Sequence, residues 1–206
     1  MFNLTELQHD ALVEIFNIGV GHAAASMSDI VNEEVTMSVP SISFLNRAQA
    51  ASMLGNSENE RICGVSQHYE GAFQTEAILM FPEDKSLEIV RLMVGESVPL
   101  KELTEMEQEA MSEIGNIILN SCVGTLANIF SQELHGSLPQ YHVGTSEQIL
   151  VASGGQADTV VLMLHIDFVL QKHQIHGYVA FILDLTALLD LREQVDSYLG
   201  KLSGTA

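Results

Sequence analysis

The sequence predicts an internally duplicated protein of the mixed α/β (α+β) class, in which the order helix, strands, helix occurs twice. Two long stretches carry apolar residues at helical spacing, and each is followed by β-rich segments and a further helix. Polar residues of the two long helices also coincide at an offset of 99 residues. We therefore expect a single domain over residues 1–206, made of two repeats at about 5–95 and 104–202.

The first repeat opens with a helix, because Thr5-Glu6-Leu7-Gln8 has the form of a capping box. This helix should reach about residue 31. Behind it the pattern predicts strands at 35–44, 61–67 and 72–81, a loop or short helix at 46–59, and a helix at 84–94.

The second repeat restarts at Thr104-Glu105-Met106-Glu107, which also has capping-box form and predicts a helix to about residue 134. Four strand-like segments and a last helix complete it. The strands are expected at 140–144, 148–152, 159–170 and 175–183, and the helix at 186–199. The ends of the repeats align less strictly, with residues 77–81 matching 179–183 at an offset of 102.

Composition excludes several classes of protein. Of the 206 residues, 47% are hydrophobic and 17% charged, as in a packed globular chain. The formal net charge of −19 repels nucleic acids and anionic membrane surfaces. Two cysteines, no secretory leader and no apolar run of 18 residues lead us to expect a cytoplasmic protein with reduced thiols and no membrane partner.

A polar ribbon runs along each long helix. Positions spaced by four, three and four residues lie on one helical face, while almost all other positions are apolar. The first ribbon is Asp10, Glu14, Asn17 and Gly21, and the second is Glu109, Glu113, Asn116 and Asn120. Each asparagine is followed 23 residues later by proline, at Pro40 and Pro139.

The ribbon is either the solvated edge of a core helix or a functional site. One copy alone favours the solvated edge, because Glu and Asn are ordinary surface residues. Two copies in register favour function, since duplication preserves a core pattern but need not preserve a polar ribbon. An asparagine is a poor base, yet its amide can hold and aim a water molecule, as phosphoryl transfer requires. A glutamate one turn away can bind a partner's lysine.

The pattern Asp/Ser-x-x-x-Glu-x-x-Asn, 22 residues and Pro resembles the signature of the CheC/CheX/FliY phosphatases of bacterial and archaeal chemotaxis. The first copy matches the signature fully, with Asp10, Glu14, Asn17 and Pro40. In the second copy, residues 112–117 (SEIGNI) look like the sequence that is usual in the family at this motif. Glu109 departs from the expected Asp or Ser, and Phe16 stands where the second copy has Gly115. Because it carries two motifs, the chain resembles the CheC branch of the family.

The resemblance implies a pseudo-two-fold CheC-like fold with both motif helices on one face of a mainly antiparallel sheet. It implies a hydrolase that removes the aspartyl phosphate of a CheY-like receiver at two equivalent sites. Asn17 and Asn116 would orient water, Glu14 and Glu113 would contact the receiver's lysine, and Asp10, Glu109, Pro40 and Pro139 would support the motifs. No cofactor of its own is expected, because Mg²⁺ would arrive on the receiver. A CheD-type receptor deamidase is a second expected partner.

Two alternatives concern other functions. The same fold could serve as a non-catalytic receiver-binding adaptor or a module related to the flagellar switch. The histidines His165, His173 and His176 suggest a metal, but the region reads as a hairpin without a cysteine or a clear carboxylate partner, so we expect no metal there.

Overall fold

The structure is a computed structural model that describes residues 4–54, 61–71, 73–95, 99–152, 159–170 and 173–204. Helices and strands occur in the same order in both halves, except that two short strands of the second half stand where the first half has one longer strand. The helices are α1 (Glu6–Val31), α2 (Arg47–Leu54), α3 (Glu83–Val94), α4 (Leu100–Phe130), α5 (Ser146–Ala152) and α6 (Leu185–Leu202). The strands are β1 (Val35–Leu45), β2 (Ile62–Gly71), β3 (Thr75–Pro82), β4 (Leu134–Gly136), β5 (Gln140–Gly144), β6 (Val160–Leu170) and β7 (His173–Leu183).

All seven strands form one antiparallel sheet in the order β1-β6-β7-β3-β2-β4, and β5 also pairs with β2. The central β3–β7 pair joins the halves. The strands that follow α1 and α4 pair with strands of the other half: β1 pairs with β6, while β4 and β5 pair with β2. The predicted class, the duplication and the antiparallel sheet are confirmed.

Both faces of the sheet are covered, which explains why β2 and β3 are almost continuously buried. On one face, α1, α3, α4 and α6 enclose the larger core. On the other face, α2 and α5 cover a smaller core around Ile78, Met80 and Ile149. None of the described helices combines the length and apolar run that crossing a bilayer needs.

The pairing register places the ends of the repeats in equivalence at an offset of 100. Leu45 pairs with Val161 and its counterpart Gly144 pairs with Ile62. The two hairpins then equate Pro82 with Ile182, since these residues face Ile62 and Val161. The offset of 102 that the sequence predicts for this segment is therefore wrong by two residues.

Two predicted elements are also wrong. Helix α4 begins at Leu100 and not at Thr104, with Pro99 as its N-cap, because the additional turn buries Leu103 in the core. Residues 148–152 are helical and not extended. They belong to α5, which presents Ile149 and Leu150 to the smaller core, and a short apolar run does not distinguish a buried strand from a buried helix. The capping box at Thr5 is confirmed.

Candidate active site

The two motif helices lie on the same face of the sheet and contact one another. A Cβ atom on Gly19 of α1 would lie 3.0 Å from the Cα of Cys122 of α4, so the glycine allows the helix backbones to approach closely. Around the ribbons the helices are buried: Leu12, Ile15 and Phe16 have no exposed surface. The site is therefore built on packed helices and not on mobile loops.

The motif carboxylates project into solvent. Asp10, Glu14, Glu109 and Glu113 are all exposed. Neither the Glu14 nor the Glu113 carboxylate has a hydrogen-bond or ion-pair partner among the residues that the structure describes. An exposed carboxylate without an internal partner is free to bind a cation on another molecule.

In the first motif, Asn17 is half-buried and binds the backbone of β1. Its Nδ2 donates to the carbonyls of Val13 (2.9 Å) and Val39 (3.2 Å), and its Oδ1 accepts the Val39 N–H at 2.9 Å. Both amino hydrogens of the Asn17 amide are thus used inside the protein. One lone pair of its oxygen remains.

The spacing from Asn17 to Pro40 has a structural cause. The β1–β6 register slips by one residue between Ser38 and Ser41, which is a β-bulge. Pro40 has no N–H to donate, and the bulge takes Val39 out of the ladder. The Asn17 amide replaces the missing strand partner by binding both backbone groups of the buried Val39.

In the second motif, Asn116 is half-buried and binds side chains instead. Its Oδ1 accepts hydrogen bonds from Asn120 Nδ2 at 2.7 Å and from Gln67 Nε2 at 3.2 Å. Gln67 also donates to the Ser137 carbonyl at 2.9 Å. The Tyr69 hydroxyl lies 3.0 Å from both Gln67 Oε1 and Asn120 Oδ1. We call Gln67, Tyr69, Asn116 and Asn120 the amide cluster.

The cluster sets the direction of the Asn116 amide. The Ser137 carbonyl only accepts, so Nε2 of Gln67 must face it, and the same nitrogen then faces Asn116. Asn116 therefore turns its oxygen inward and its amino group outward, and that amino group has no partner among the described residues. Burial raises the pKa of Tyr69, which keeps the hydroxyl protonated as a donor.

The two motifs are therefore not equivalent, contrary to the sequence-based expectation. The strand register equates Gln67 with Ile166 and Tyr69 with Phe168, and Asn120 corresponds to Gly21. The first motif thus has apolar residues or glycine at all three positions of the amide cluster that surround Asn116. Gln67 and Tyr69 are polar residues at buried positions of β2, and they were the signal that sequence reasoning missed.

Helix packing reinforces this difference. Gly115 lets α4 lie directly on β2, because a Cβ atom there would be 2.4 Å from Cγ1 of Val65. In α1 the equivalent Phe16 inserts its ring, which stacks on Phe181 with centroids 5.4 Å apart. Phe16 packs in the core and does not obstruct the first motif. Asn116 reaches β2, whereas Asn17 reaches β1.

An open groove of about 670 Å³ adjoins the second motif. Glu109 and Glu113 line it on the α4 side, together with Met106, and Pro139 lines it opposite. The next residue back, Leu138, is 84% exposed. The groove offers negative charge beside an apolar rim, which suits a partner that presents a cation and an apolar contact.

The cysteines take no part in this chemistry. Cys63 and Cys122 are buried, and burial raises the pKa of both thiols to about 12. A thiol with so high a pKa is not a nucleophile near neutral pH. What the motifs offer is therefore carboxylates for binding and amides for positioning.

Comparisons with known proteins show which sequences resemble this chain. The model of the chemotaxis phosphatase CheX matches residues 63–163, and that of the CheC-like family matches residues 7–44. The CheY-P phosphatase CheC of Bacillus subtilis is 27% identical over 144 residues, 68% of each chain. The flagellar motor switch phosphatase FliY of the same organism is 25% identical over 140 residues, which are 67% of this chain and 36% of that protein.

Solved structures share the fold. FliY from Thermotoga maritima has a TM-score of 0.77 with 18% identity, covering 96% of this chain and 100% of that one. The FliM middle domain from H. pylori has a TM-score of 0.63 with 9% identity, covering 93% and 99%. CheX from Borrelia burgdorferi, in a complex with CheY, BeF₃ and Mg²⁺, has a TM-score of 0.51 with 18% identity, covering 83% and 97%.

The matching CheX model and both curated relatives are named as phosphatases. In sequence and in fold the chain is similar to the CheC/CheX/FliY family.

Proposed function

We propose that this protein hydrolyses the aspartyl phosphate of a CheY-type receiver, with Asn116 and Asn17 orienting the attacking water. Glu113 and Glu14 bind the receiver's active-site lysine. The observation that carries the proposal is the outward amino group of Asn116, held by the amide cluster beside the exposed Glu113. The proposal is supported by a relative named CheY-P phosphatase and by the CheX structure in complex with CheY.

The reaction needs positioning more than acid–base chemistry. A water oxygen attacks phosphorus in line, the bond from phosphorus to the aspartyl oxygen breaks, and the aspartate leaves as a carboxylate. The products are inorganic phosphate, which retains the oxygen of the water, and a proton. Mg²⁺ bound to the receiver would neutralise part of the phosphoryl charge, so the proposed reaction requires no metal held by this chain.

The Asn116 amide is suited to hold this water. An N–H of Asn116 donates to the water oxygen and leaves a lone pair of that oxygen free to face phosphorus. Because two hydrogen bonds already hold Oδ1, the amide is preorganised and little orientational freedom is lost when the receiver docks.

The first motif offers less to the reaction. Both amino hydrogens of Asn17 are donated to backbone carbonyls, so this residue presents one oxygen lone pair to a water molecule. Rearranging the Asn17 amide would leave the buried backbone of Val39 without its partner, which costs about 1–3 kcal/mol. We therefore assign the larger share of activity to the second motif.

Binding is expected to be local and transient. The chain carries a net charge of −19, and a receiver's phosphorylated surface is also acidic. The exposed Glu14 and Glu113 carboxylates must therefore meet the receiver's lysine directly, since the long-range field opposes association. A CheD-type deamidase as a second partner stays a prediction.

The alternative is an adaptor or a flagellar-switch module that binds receivers without catalysis. The FliM middle domain shares the fold, and the relative FliY is named a flagellar motor switch phosphatase. Both Glu–Asn pairs are present in this chain, which favours the enzyme.

Phosphate release from a phosphorylated receiver distinguishes the two functions. We expect wild-type protein to accelerate release, Asn116→Ala to lose more of the rate than Asn17→Ala, and the double variant to fall by about 100-fold or more. An adaptor would bind the receiver without accelerating release. A double variant that is as fast as wild type would refute the catalytic role of both asparagines.

A further inference from the structure

We infer that His165, Asp167 and His176 form a binding site for a divalent transition-metal ion of the zinc class. Strand alternation places His165 and Asp167 of β6 on the same face, and the β6–β7 register sets His176 directly opposite Asp167. The ligand atoms of all three residues lie within 4.8 Å of one another. Two imidazoles and a carboxylate are a common protein ligand set for zinc.

The distances suit tetrahedral coordination. His176 Nδ1 lies 2.7 Å and His165 Nε2 lies 3.7 Å from the same Asp167 oxygen. Ligand atoms at about 2.0–2.1 Å from zinc are about 3.3 Å apart in a tetrahedron, so small rotations of the two rings bring all three onto one ion. A fourth position then remains for water or another ligand.

The three ligands are held by the fold. They stand on neighbouring strands of the central sheet and not on loops, and the His165 ring stacks on Tyr178 with centroids 5.3 Å apart. Asp167 is 25% exposed and His165 is 33% exposed, so an ion has access while the side chains are partly immobilised. Sequence reasoning missed Asp167, because only the register shows that it faces His176.

The other repeat provides an internal comparison. The register equates His165 with Ser66, Asp167 with His68 and His176 with Glu76. His68 and Glu76 also form a cross-strand pair, at 3.3 Å. Ser66 replaces the third ligand, and among the described residues only the second repeat gathers three such groups. A structural cross-strand pair is thus present in both repeats, whereas the third ligand is specific to the second.

The site is independent of the proposed phosphatase activity. Leu164, Ile166 and Phe168 of β6 point into the core beneath the motif helices, and His165 and Asp167 alternate to the opposite face. Binding a metal there would leave the surface that carries Glu113 and Asn116 unobstructed.

Zinc titration of the whole chain tests the site. Protein stripped with a chelator is titrated with Zn²⁺ by calorimetry, as wild type, His165→Ala, Asp167→Asn and the matched control His68→Ala. We expect one equivalent to bind to wild type and His68→Ala, and binding at least about tenfold weaker in His165→Ala and Asp167→Asn. Zn²⁺ should raise the Tm of wild type and His68→Ala alone.

Three outcomes would overturn the inference. The first is that wild-type protein binds no Zn²⁺ at about 100 μM. The second is that His165→Ala titrates like wild type. The third is that His68→Ala loses as much affinity as His165→Ala. Circular dichroism of His165→Ala without metal shows whether the variant is folded. If it is not, Asp167→Asn, which keeps a side chain of the same shape, decides the question.

Discussion

Replacing Gln67 by leucine should lower the rate of hydrolysis at the second motif without changing the rate at the first motif. Gln67 is 2% exposed, and its side chain makes three hydrogen bonds, to Asn116, Ser137 and Tyr69. Tyr69 retains Asn120, and the exposed Ser137 is open to water, so the loss is smaller than three full bonds. We expect the free energy of unfolding to fall by about 1–3 kcal/mol.

The expected rate follows from the same contacts. Without Gln67, Asn116 keeps one of the two donors that hold its oxygen. A loss of about 1.4 kcal/mol in positioning corresponds to a tenfold lower rate at the second motif. That rate is measured in an Asn17→Ala background, where only the second motif is intact.

The matched control is Gln67→Leu in an Asn116→Ala background, where only the first motif is intact. Gln67 keeps its bonds to Ser137 and Tyr69 in that background, so most of the loss of stability is still present, but the rate should stay within about twofold of that background. Equal slowing in both backgrounds would mean that Gln67 acts through stability alone, and no slowing in either would refute the positioning role.

Three further predictions concern packing, docking and the thiols. Gly19→Ala should lower the free energy of unfolding by about 1–3 kcal/mol, because the added Cβ meets the backbone of α4. Gly21→Ala, which has open space around it, should raise that free energy by up to about 1 kcal/mol. Urea denaturation compares the two variants, and equal effects would contradict the close packing at Gly19. Glu14→Lys should weaken docking of a phosphorylated receiver by about fivefold or more in a binding titration, and unchanged affinity would argue against the lysine contact. Burial raises the pKa of Cys63 and Cys122 to about 12, so at pH 8 both thiols should resist iodoacetamide until urea unfolds the chain. Because the thiols ionise more readily in the unfolded chain, stability should also fall as the pH rises from about 8.5 towards 12, and rapid labelling of the folded chain would contradict the burial.

Local signals were sufficient to predict much of the fold. The capping box at Thr5, the helical spacing of apolar residues and the offset of 99 predicted α1, the long helix α4 and the duplication. They also predicted that Glu14 and Glu113 lie at the surface. Each of these properties depends on residues that are a few positions apart, or on the comparison of one repeat with the other.

Features that depend on long-range pairing were not predictable. Three features require the register of strands that are distant in sequence. They are the exchange of β1 and β5 between the repeats, the register slip after which Asn17 binds the backbone of Val39, and the contact between Gln67 and Asn116. The sequence showed that a proline follows the motif at a fixed spacing, but only the structure shows that Pro40 occupies a bulge in β1. Periodicity alone also failed for α5, where a short apolar run fits a helix and a strand equally well.

The swapped strands also explain why the two motifs could diverge. Asn116 is supported by β2 of the first repeat, whereas Asn17 is supported by β1 of its own repeat. A substitution in one repeat can therefore change the support of the other repeat's motif. The side chains of Gln67 and Ile166 occupy equivalent positions and show this divergence directly.

The most direct test is the decay of a pre-phosphorylated receiver in a single turnover, with increasing excess of wild-type protein or of Asn17→Ala/Asn116→Ala. We predict that both proteins bind the receiver with affinities within about threefold, because the glutamates remain, and that only wild type accelerates decay. With the double variant, the receiver should lose its phosphate at its intrinsic rate at every concentration of the variant. If the double variant reaches the wild-type rate at saturation, the asparagines act in docking and not in hydrolysis, and the proposed mechanism is wrong.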